Sequence, residues 1–332
     1  MLGDVLYHST GPCTKPSSVR FRTLGKTGLR VSEMGLGTWG LSGDAYGPVD
    51  AIEQQRVLGR ALEMGFTLID TADAYGGGRM ERLVGATISG RDEIVVVTKG
   101  GTDRATTPAR KRFDREYLRG AVDRSRLRLQ RDRLDVYLLH NPTENVLLAG
   151  DATEVLLELK QQGKIGHWGV SAGSTAIGRA ALRAGAEVIE LAYNIVHAAE
   201  LHQLAGEIIV AGAGVLARST LAHGLLAGAW AKNHEFPEGD HRALRWTPGE
   251  LERRVEQLQY VRFLVKDDVK NLVAAAVRFV LSNPIVSSAV LGPRSVAQLE
   301  DIVRHVGMGP VYLRDADLAV LPRMLDMAGI GT

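Results

Sequence analysis

Four side chains stand out for the chemistry they can do together. Lys99 follows the apolar run Ile94-Val-Val-Val-Thr98, where its neighbours are of the buried kind. A lysine there serves as a Schiff-base nucleophile with a depressed pKa, as a fixed cation that lowers the pKa of an adjacent acid, or as half of a structural ion pair. Asp70 and Tyr75 lie in Phe66-Thr-Leu-Ile-Asp-Thr-Ala-Asp-Ala-Tyr75, the acid at a strand end and the phenol a short loop further on, ahead of Gly76-Gly-Gly78. Alone, Asp70 reads as a helix cap and Tyr75 as packing. With Lys99, and with His140 in Val136-Tyr-Leu-Leu-His-Asn-Pro142, they form a constellation of proton donors.

Other motifs carry less. His140, His197, His202 and His223 lack the spacing of a zinc signature such as H-E-x-x-H, so no metal is expected. Gly35-Leu-Gly37-Thr-Trp-Gly40 matches G-x-G-x-x-G, but a dinucleotide fingerprint needs a helix opening at the third glycine. Here Leu-Ser-Gly-Asp-Ala-Tyr-Gly-Pro follows, which is loop chemistry. Arg104 to Arg133 holds eleven Lys or Arg against four acids. A solvated helix face explains that better than a nucleic-acid stripe, because the whole chain carries a formal charge of only +2 and aromatics make up 5%.

The elements that must position the four residues alternate along the chain. After an irregular leader over residues 1–18, Arg20–Leu24, the turn Gly25–Gly28 and Leu29–Ser32 predict a hairpin. Eight apolar runs follow: Met34–Gly37, Phe66–Ile69, Ile94–Thr98, Val136–Leu139, Ile165–Val170, Val188–Leu191, Val215–Ala217 and Ser288–Leu291. Amphipathic stretches separate them, with capping boxes at Asp50/Glu53 and Ser295/Gln298 and Gly65 past a helix end. Eight strands with helices between predict a parallel (β/α)8 TIM barrel rather than an open doubly wound sheet. Asp70, Lys99, His140, Ser171, Asn194 and Arg218 all fall at or just past run ends, and a barrel gathers those on one face. Between Arg218 and a helix from about Asp268 lies an insertion after strand 7 too long for an ordinary loop. Within it Thr247-Pro-Gly-Glu250 opens a helix. The insertion reads equally as a lid over that face or as an excursion on the barrel's side.

Length and composition fit this picture. The chain has 332 residues and one cysteine, Cys13, which leaves no disulfide framework. There is no apolar run long enough for a membrane span and no secretory signal, so a cytoplasmic protein is expected, with residues 19–332 as a single barrel domain.

From about Phe21 to Val306 the sequence resembles the aldo-keto reductase family. The resemblance is carried by Leu24-Gly-Lys-Thr-Gly-Leu-Arg-Val-Ser32, Gly35-Leu-Gly-Thr-Trp39, Ile69-Asp-Thr-Ala-Asp-Ala-Tyr-Gly76, Leu134-Asp-Val-Tyr-Leu-Leu-His140, Gly169-Val-Ser171 and Gly292-Pro-Arg-Ser295. It implies a barrel that binds an extended nicotinamide cofactor, NADP (NADPH), without a Rossmann domain. It also implies that a small carbonyl substrate is reduced by the tetrad Asp70, Tyr75, Lys99 and His140. Tyr75 would be the general acid, Lys99 and Asp70 would tune it, and His140 would orient the carbonyl. The cofactor would lie against Thr38, Asp70, Ser171, Glu190, Arg218, Ser219, Leu221, Gly292, Arg294 and Gln298.

Four positions depart from the family pattern. Ala172 stands where an asparagine usually meets the nicotinamide carboxamide, and Glu190 where a glutamine does. Arg218 replaces the aromatic residue that stacks on the nicotinamide. Ile302 replaces an asparagine near the adenine. Arg294, helped by the N-terminus of the helix after it, suits a 2′-phosphate, which favours NADP over NAD. Other readings remain open here: a cofactor-binding sensor or regulatory subunit with little turnover, and a Schiff-base lyase using Lys99.

Overall fold

The N-terminal hairpin is formed by β1 (Phe21–Thr23) and β2 (Arg30–Ser32), antiparallel, with Phe21 opposite Ser32. The computed structural model describes residues 19–307, 309 and 312–331, so the expected leader lies outside the described residues. Gly25 and Gly28 take φ of 50° and 72° in the hairpin turn, a region glycine enters without steric cost. A Cβ on Gly25 would lie 2.2 Å from the Gly214 nitrogen. The turn is therefore pressed against the start of a barrel strand and plugs that end.

Beyond it run β3 (Met34–Gly37), α1 (Ala51–Glu63), β4 (Leu68–Asp70), α2 (Arg79–Thr87), β5 (Val95–Gly100), the two-residue strands β6 (Thr102–Asp103) and β7 (Arg110–Lys111), α3 (Arg115–Leu129) and β8 (Leu134–His140). Next come α4 (Glu144–Ala149), α5 (Asp151–Gln161), β9 (Ile165–Ser171), α6 (Thr175–Arg183), β10 (Val188–Ala192), α7 (Ala199–Ala211) and β11 (Gly214–Arg218). The chain continues through α8 (Pro248–Gln257), α9 (Leu272–Ser282), β12 (Val286–Leu291), α10 (Val296–Val306) and α11 (Asp315–Met327). Strands β3, β4, β5, β8, β9, β10, β11 and β12 pair in parallel in that order, and β12 returns to β3 to close the barrel. Each apolar run of the sequence supplies one barrel strand.

Strand periodicity explains why chemistry gathers at one end. Leu68, Val95, Val97, Val136, Leu138, Val188, Leu216 and Val290 form a buried cluster of their own, with Leu24 and Val31 of the hairpin beneath. These are inward-facing positions, and side chains two residues apart share a face. The next inward positions along the strands are Asp70, Lys99, His140, Glu190 and Arg218. The alternation that fills the barrel with valine and leucine thus delivers polar residues to its C-terminal mouth. The larger core lies outside, between strands and helices, and includes Phe66, Tyr137 and Trp168.

One interior position is occupied by necessity. A Cβ on Gly169 would lie 1.9 Å from the Val188 carbonyl oxygen, where β9 and β10 run side by side with Ser171 opposite Glu190. Gly169→Ala is expected to cost at least about 1–3 kcal/mol, the usual penalty of overpacking, read as a lower urea midpoint. An unchanged midpoint would mean that the two strands have slack the geometry denies.

Helix ends partly follow the expected caps. Asp50 accepts from the Ile52 and Glu53 nitrogens, but Glu53 does not complete a capping box. Its carboxylate instead accepts from the Val296 nitrogen at 2.8 Å, because α1 and α10 are neighbours. Ser295 caps α10 by accepting from the Gln298 nitrogen, while Gln298 accepts from the Arg294 nitrogen rather than from that of Ser295. The reciprocal box does form at Thr247 and Glu250, with Pro248 as the first residue of α8. Gly35 and Gly37 sit in β3 and Gly40 in a 3-10 turn, with no α-helix between Gly40 and Ala51; the fingerprint reading stays excluded. Five of the eleven basic residues of the segment lie on α3, where Arg119 pairs with Glu158 at 2.6 Å and Arg115 with Glu154 at 3.3 Å.

The insertion after β11 divides its roles. Its first part, through the 3-10 turns Ala222–Ala227 and His241–Leu244, reaches over the mouth, where the His241 nitrogen donates to the Ala45 carbonyl at 2.8 Å. Its second part, α8, lies on the barrel's side and donates from Gln257 to the Ala328 carbonyl. The following helix begins at Leu272, capped by Asn271, four residues later than the sequence suggests. None of the described helices is long and apolar enough to cross a membrane.

Candidate active site

Lys99 ends the inward row of β5 and is 1% exposed. Its ammonium donates to the Asp70 carboxylate, to the Thr71 carbonyl at 3.1 Å, and faces Glu190 Oε1 at 3.4 Å. Asp70 and Glu190 are 4% and 1% exposed, so one buried cation is bracketed by two buried carboxylates. Burial disfavours the ammonium, yet the two carboxylates outweigh it and hold Lys99 above the usual lysine range. That argues against the Schiff-base reading, which requires a neutral amine. Burial and the neighbouring Glu190 push Asp70 upward against the pull of Lys99.

Tyr75 reaches this group through a turn only glycine builds cheaply. Gly76, Gly77 and Gly78 take φ of 58°, 62° and 82° in succession, and the Gly76 nitrogen donates to Asp44 at 2.6 Å. The chain folds back and lays the phenol ring at the mouth, with the Lys99 nitrogen 5.6 Å from its centroid. Burial raises the Tyr75 pKa more than Lys99 lowers it. The phenol is thus protonated at neutral pH, and the expected acidifying effect of Lys99 is real but the smaller of the two.

His140 stands edge-on to Tyr75, with ring centroids 5.8 Å apart and planes at 85°. Burial first, then the cations of Lys99, Lys111 and Arg218, hold its pKa well below the usual value. It is a neutral imidazole with one N–H to give. Its backbone carbonyl accepts from Lys111 at 2.7 Å, which ties the β8 terminus to the β6–β7 hairpin.

These residues open into a cavity of about 900 Å3. Asp70, Tyr75 and His140 line one part, and Ser171, Glu190, Arg218, Ser219 and Leu221 continue the wall to Gly292, Arg294 and Gln298. Trp39, Tyr46 and Trp230 also line it, so these aromatics are pocket wall as well as packing. Lys99 lies behind the lining, as does Thr38, whose hydroxyl donates to the Asp70 carbonyl at 3.0 Å. Among the described residues no group of three or more His, Cys, Asp or Glu is arranged to hold a metal ion.

The sequence model of the Aldo/keto reductase family matches residues 33–309. The chain belongs to this family. It is 30% identical over 297 residues to the aldo-keto reductase YhdN of Bacillus subtilis, a match covering 87% of this chain and 89% of the relative. It is 26% identical over 306 residues to the L-glyceraldehyde 3-phosphate reductase of Escherichia coli K12, covering 86% and 87%. Among solved structures, the glycerol dehydrogenase AKR11B4 of Gluconobacter oxydans superposes with a TM-score of 0.79 at 25% identity, covering 96% of this chain and 98% of that one.

Three buried polar atoms along the cavity wall of this aldo-keto reductase are open to a ligand. Glu190 Oε2, Arg218 Nε and Arg294 Nε are buried without a protein partner among the described residues, and all three side chains line it. Glu190 offers an acceptor and the arginines offer cationic donors suited to phosphate. Part of the expected phosphate end is already engaged within the protein. Arg294 donates to the Gly47 and Pro48 carbonyls at 2.9 and 3.1 Å. The first nitrogen of α10 is taken by the Glu53 carboxylate, so the pull expected from that helix terminus is opposed by a fixed negative charge.

Several lining residues escape a motif search. Arg104 donates to the Ala74 carbonyl beside Tyr75 and faces Asp44 at 3.5 Å. Arg242, paired with Asp240 at 2.6 Å, stacks over Tyr46 at 4.7 Å. With Arg245 it brings cationic charge to the mouth from the insertion. Nothing in the local pattern around Arg242 signals this; only the length of the insertion did.

Proposed function

We propose that this aldo-keto reductase reduces an aldehyde or ketone to the alcohol with NADPH, using Tyr75 as general acid. The observation that carries the reading is the convergence of Tyr75 and His140 on one cavity, with Lys99 directly behind the phenol. A bound reduced nicotinamide supplies the hydride that attacks the carbonyl carbon. Negative charge then develops on the carbonyl oxygen. The Tyr75 hydroxyl donates its proton to that oxygen, and the neutral His140 gives it a hydrogen bond that fixes its direction. Lys99 steadies the phenolate left behind, and Asp70 holds Lys99 against the β4 terminus. Ser171 and Glu190 receive the carboxamide, while Gly292, Arg294 and Gln298 receive the 2′-phosphate end.

The test is a fluorescence titration with NADPH and separately with NADH, followed by a panel of aldehydes and ketones. Tight NADPH binding with oxidation on addition of an aldehyde is the expected result. Binding without oxidation under any carbonyl would favour the sensor reading, which draws on the altered carboxamide contact at Ala172. Arg294→Ala is expected to weaken NADPH at least tenfold and leave NADH within about twofold, because only the former carries the 2′-phosphate that arginine pairs with. An equal loss for both nucleotides would remove Arg294 from that role.

A further inference from the structure

Glu190 is a carboxylate in a place that asks only for a hydrogen-bond acceptor. It stands beside Ser171 in the β9–β10 ladder, and its backbone carbonyl accepts from the Ala172 nitrogen at 2.7 Å. One carboxylate oxygen faces Lys99 at 3.4 Å. The other is buried, has no protein partner, and belongs to a side chain that lines the cavity. Asp70 and Glu190 share the single ammonium of Lys99. Two carboxylates around one cation leave one net negative charge, which acts on whatever occupies the adjoining space.

Beyond Lys99, Arg218 brings a second cation to this part of the wall. It lies one strand away, level with Ala192 and so two residues nearer the mouth than Glu190. Its guanidinium donates to the Ala172 carbonyl at 3.1 Å, and no carboxylate pairs with it among the described residues. Tyr75 and His140, which line the same part of the cavity, are neutral, and Asp70 beside them is paired with Lys99. The Lys99–Asp70–Glu190 group, with two carboxylates to one ammonium, and the unpaired Arg218 thus set opposite net charges along the cavity wall.

We propose that Glu190 sets the redox-state preference of the site, favouring the oxidised, cationic nicotinamide over the reduced, neutral one, with Arg218 as the opposing control. The proposal rests on the nucleotide reading given above. The two cofactor forms share their phosphates, ribose, adenine and carboxamide and differ by one positive charge in the nicotinamide ring. Contacts common to both forms cancel in the ratio of their affinities. A fixed carboxylate beside the ring seat does not cancel, because in a site of low effective dielectric it attracts only the charged form. A glutamine would make the same acceptor contact without that discrimination. The oxidised product of carbonyl reduction would then be held more tightly than a neutral wall would hold it, and alcohol oxidation would gain relative to reduction.

The experiment is calorimetric titration of the whole protein with NADP+ and with NADPH at pH 8. That pH favours the ionised form of Asp70, which burial and the neighbouring Glu190 make hold its proton longer than a free carboxylate does. In Glu190→Gln the ratio Kd(NADP+)/Kd(NADPH) is expected to rise about tenfold, equivalent to about 1.4 kcal/mol. In Arg218→Gln it is expected to fall several-fold. A merely structural role for either residue would weaken both nucleotides alike and leave the ratio in place. A ratio unchanged within twofold in Glu190→Gln overturns the proposal, as does an unchanged ratio in Arg218→Gln should the first variant not fold. If the wild-type protein binds neither nucleotide, the functional reading above falls, and this inference falls with it.

Discussion

Tyr75→Phe is expected to lower kcat by roughly 10²–10⁴-fold, the range in which a positioned proton donor contributes, while nucleotide affinity stays within about twofold. The substitution removes one oxygen from a ring whose place is set by other forces. The turn of Gly76, Gly77 and Gly78 is a backbone feature, and the edge-on contact with His140 involves the ring rather than the hydroxyl. Among the described residues no hydrogen bond to the phenol oxygen has to be given up, so the variant should fold and bind as before. What it lacks is the proton for the carbonyl oxygen, which His140, neutral and with one N–H, can polarise but not readily replace. Full turnover by Tyr75→Phe on a substrate of the wild-type protein would sink the assignment. The pH profile adds an independent check. Because burial keeps the phenol above its ordinary value of 10, the acid stays protonated through neutrality. Reduction should be level there and fall only in strongly alkaline solution.

The barrel, and the gathering of Asp70, Lys99 and His140 at its mouth, were legible in the sequence for a common reason. A strand buried on both faces is an apolar run, and the residue that ends its inward row has to be polar if it meets the cavity. Val95, Val97 and Lys99 on β5, or Val136, Leu138 and His140 on β8, display that rule within a few residues of chain. The hairpin was legible too, because Gly25 and Gly28 mark its turn.

What stayed hidden depends on residues far apart in the chain. That Glu190 would meet Lys99 follows from strand register and barrel closure, which bring β10 and β5 to a common axis although they are not ladder neighbours. Glu53 looked like half of a capping box because local spacing is all a sequence displays. The adjoining N-terminus of α10 offered its carboxylate a better donor. Arg294 looked free for a phosphate, but the carbonyls of Gly47 and Pro48 come within its reach only once β12 closes against β3. The insertion announced itself by length alone, and the half of it that covers the mouth is held there by contacts to the β3 loop.

Lys99→Met is expected to be the most damaging single change, in stability as well as in turnover. Removing one partner of a buried ion pair typically costs about 3–5 kcal/mol, because the other is left charged and unpaired in a medium that cannot solvate it. Here two carboxylates lose their shared counter-ion, and Asp70 and Glu190 are left to repel each other. They relieve the strain by taking up a proton, as adjacent buried carboxylates do. That response fixes the sign of the pH dependence. The folded-state pKa of Asp70, already raised by burial and Glu190 and now without the opposing pull of Lys99, would rise further above the unfolded one, so across that interval the folded chain binds more protons than the unfolded chain. Stability must therefore fall as pH rises through it. Unfolding of Lys99→Met in urea should show a midpoint well below wild type at pH 8 and a smaller deficit at pH 6. Adding Glu190→Gln to Lys99→Met should restore part of the loss at pH 8, since one of the stranded charges is then gone, yet turnover should not return. A deficit independent of pH and untouched by the second substitution would mean that Lys99 contributes through packing of its alkyl chain. The two-carboxylate account of this site would then be wrong.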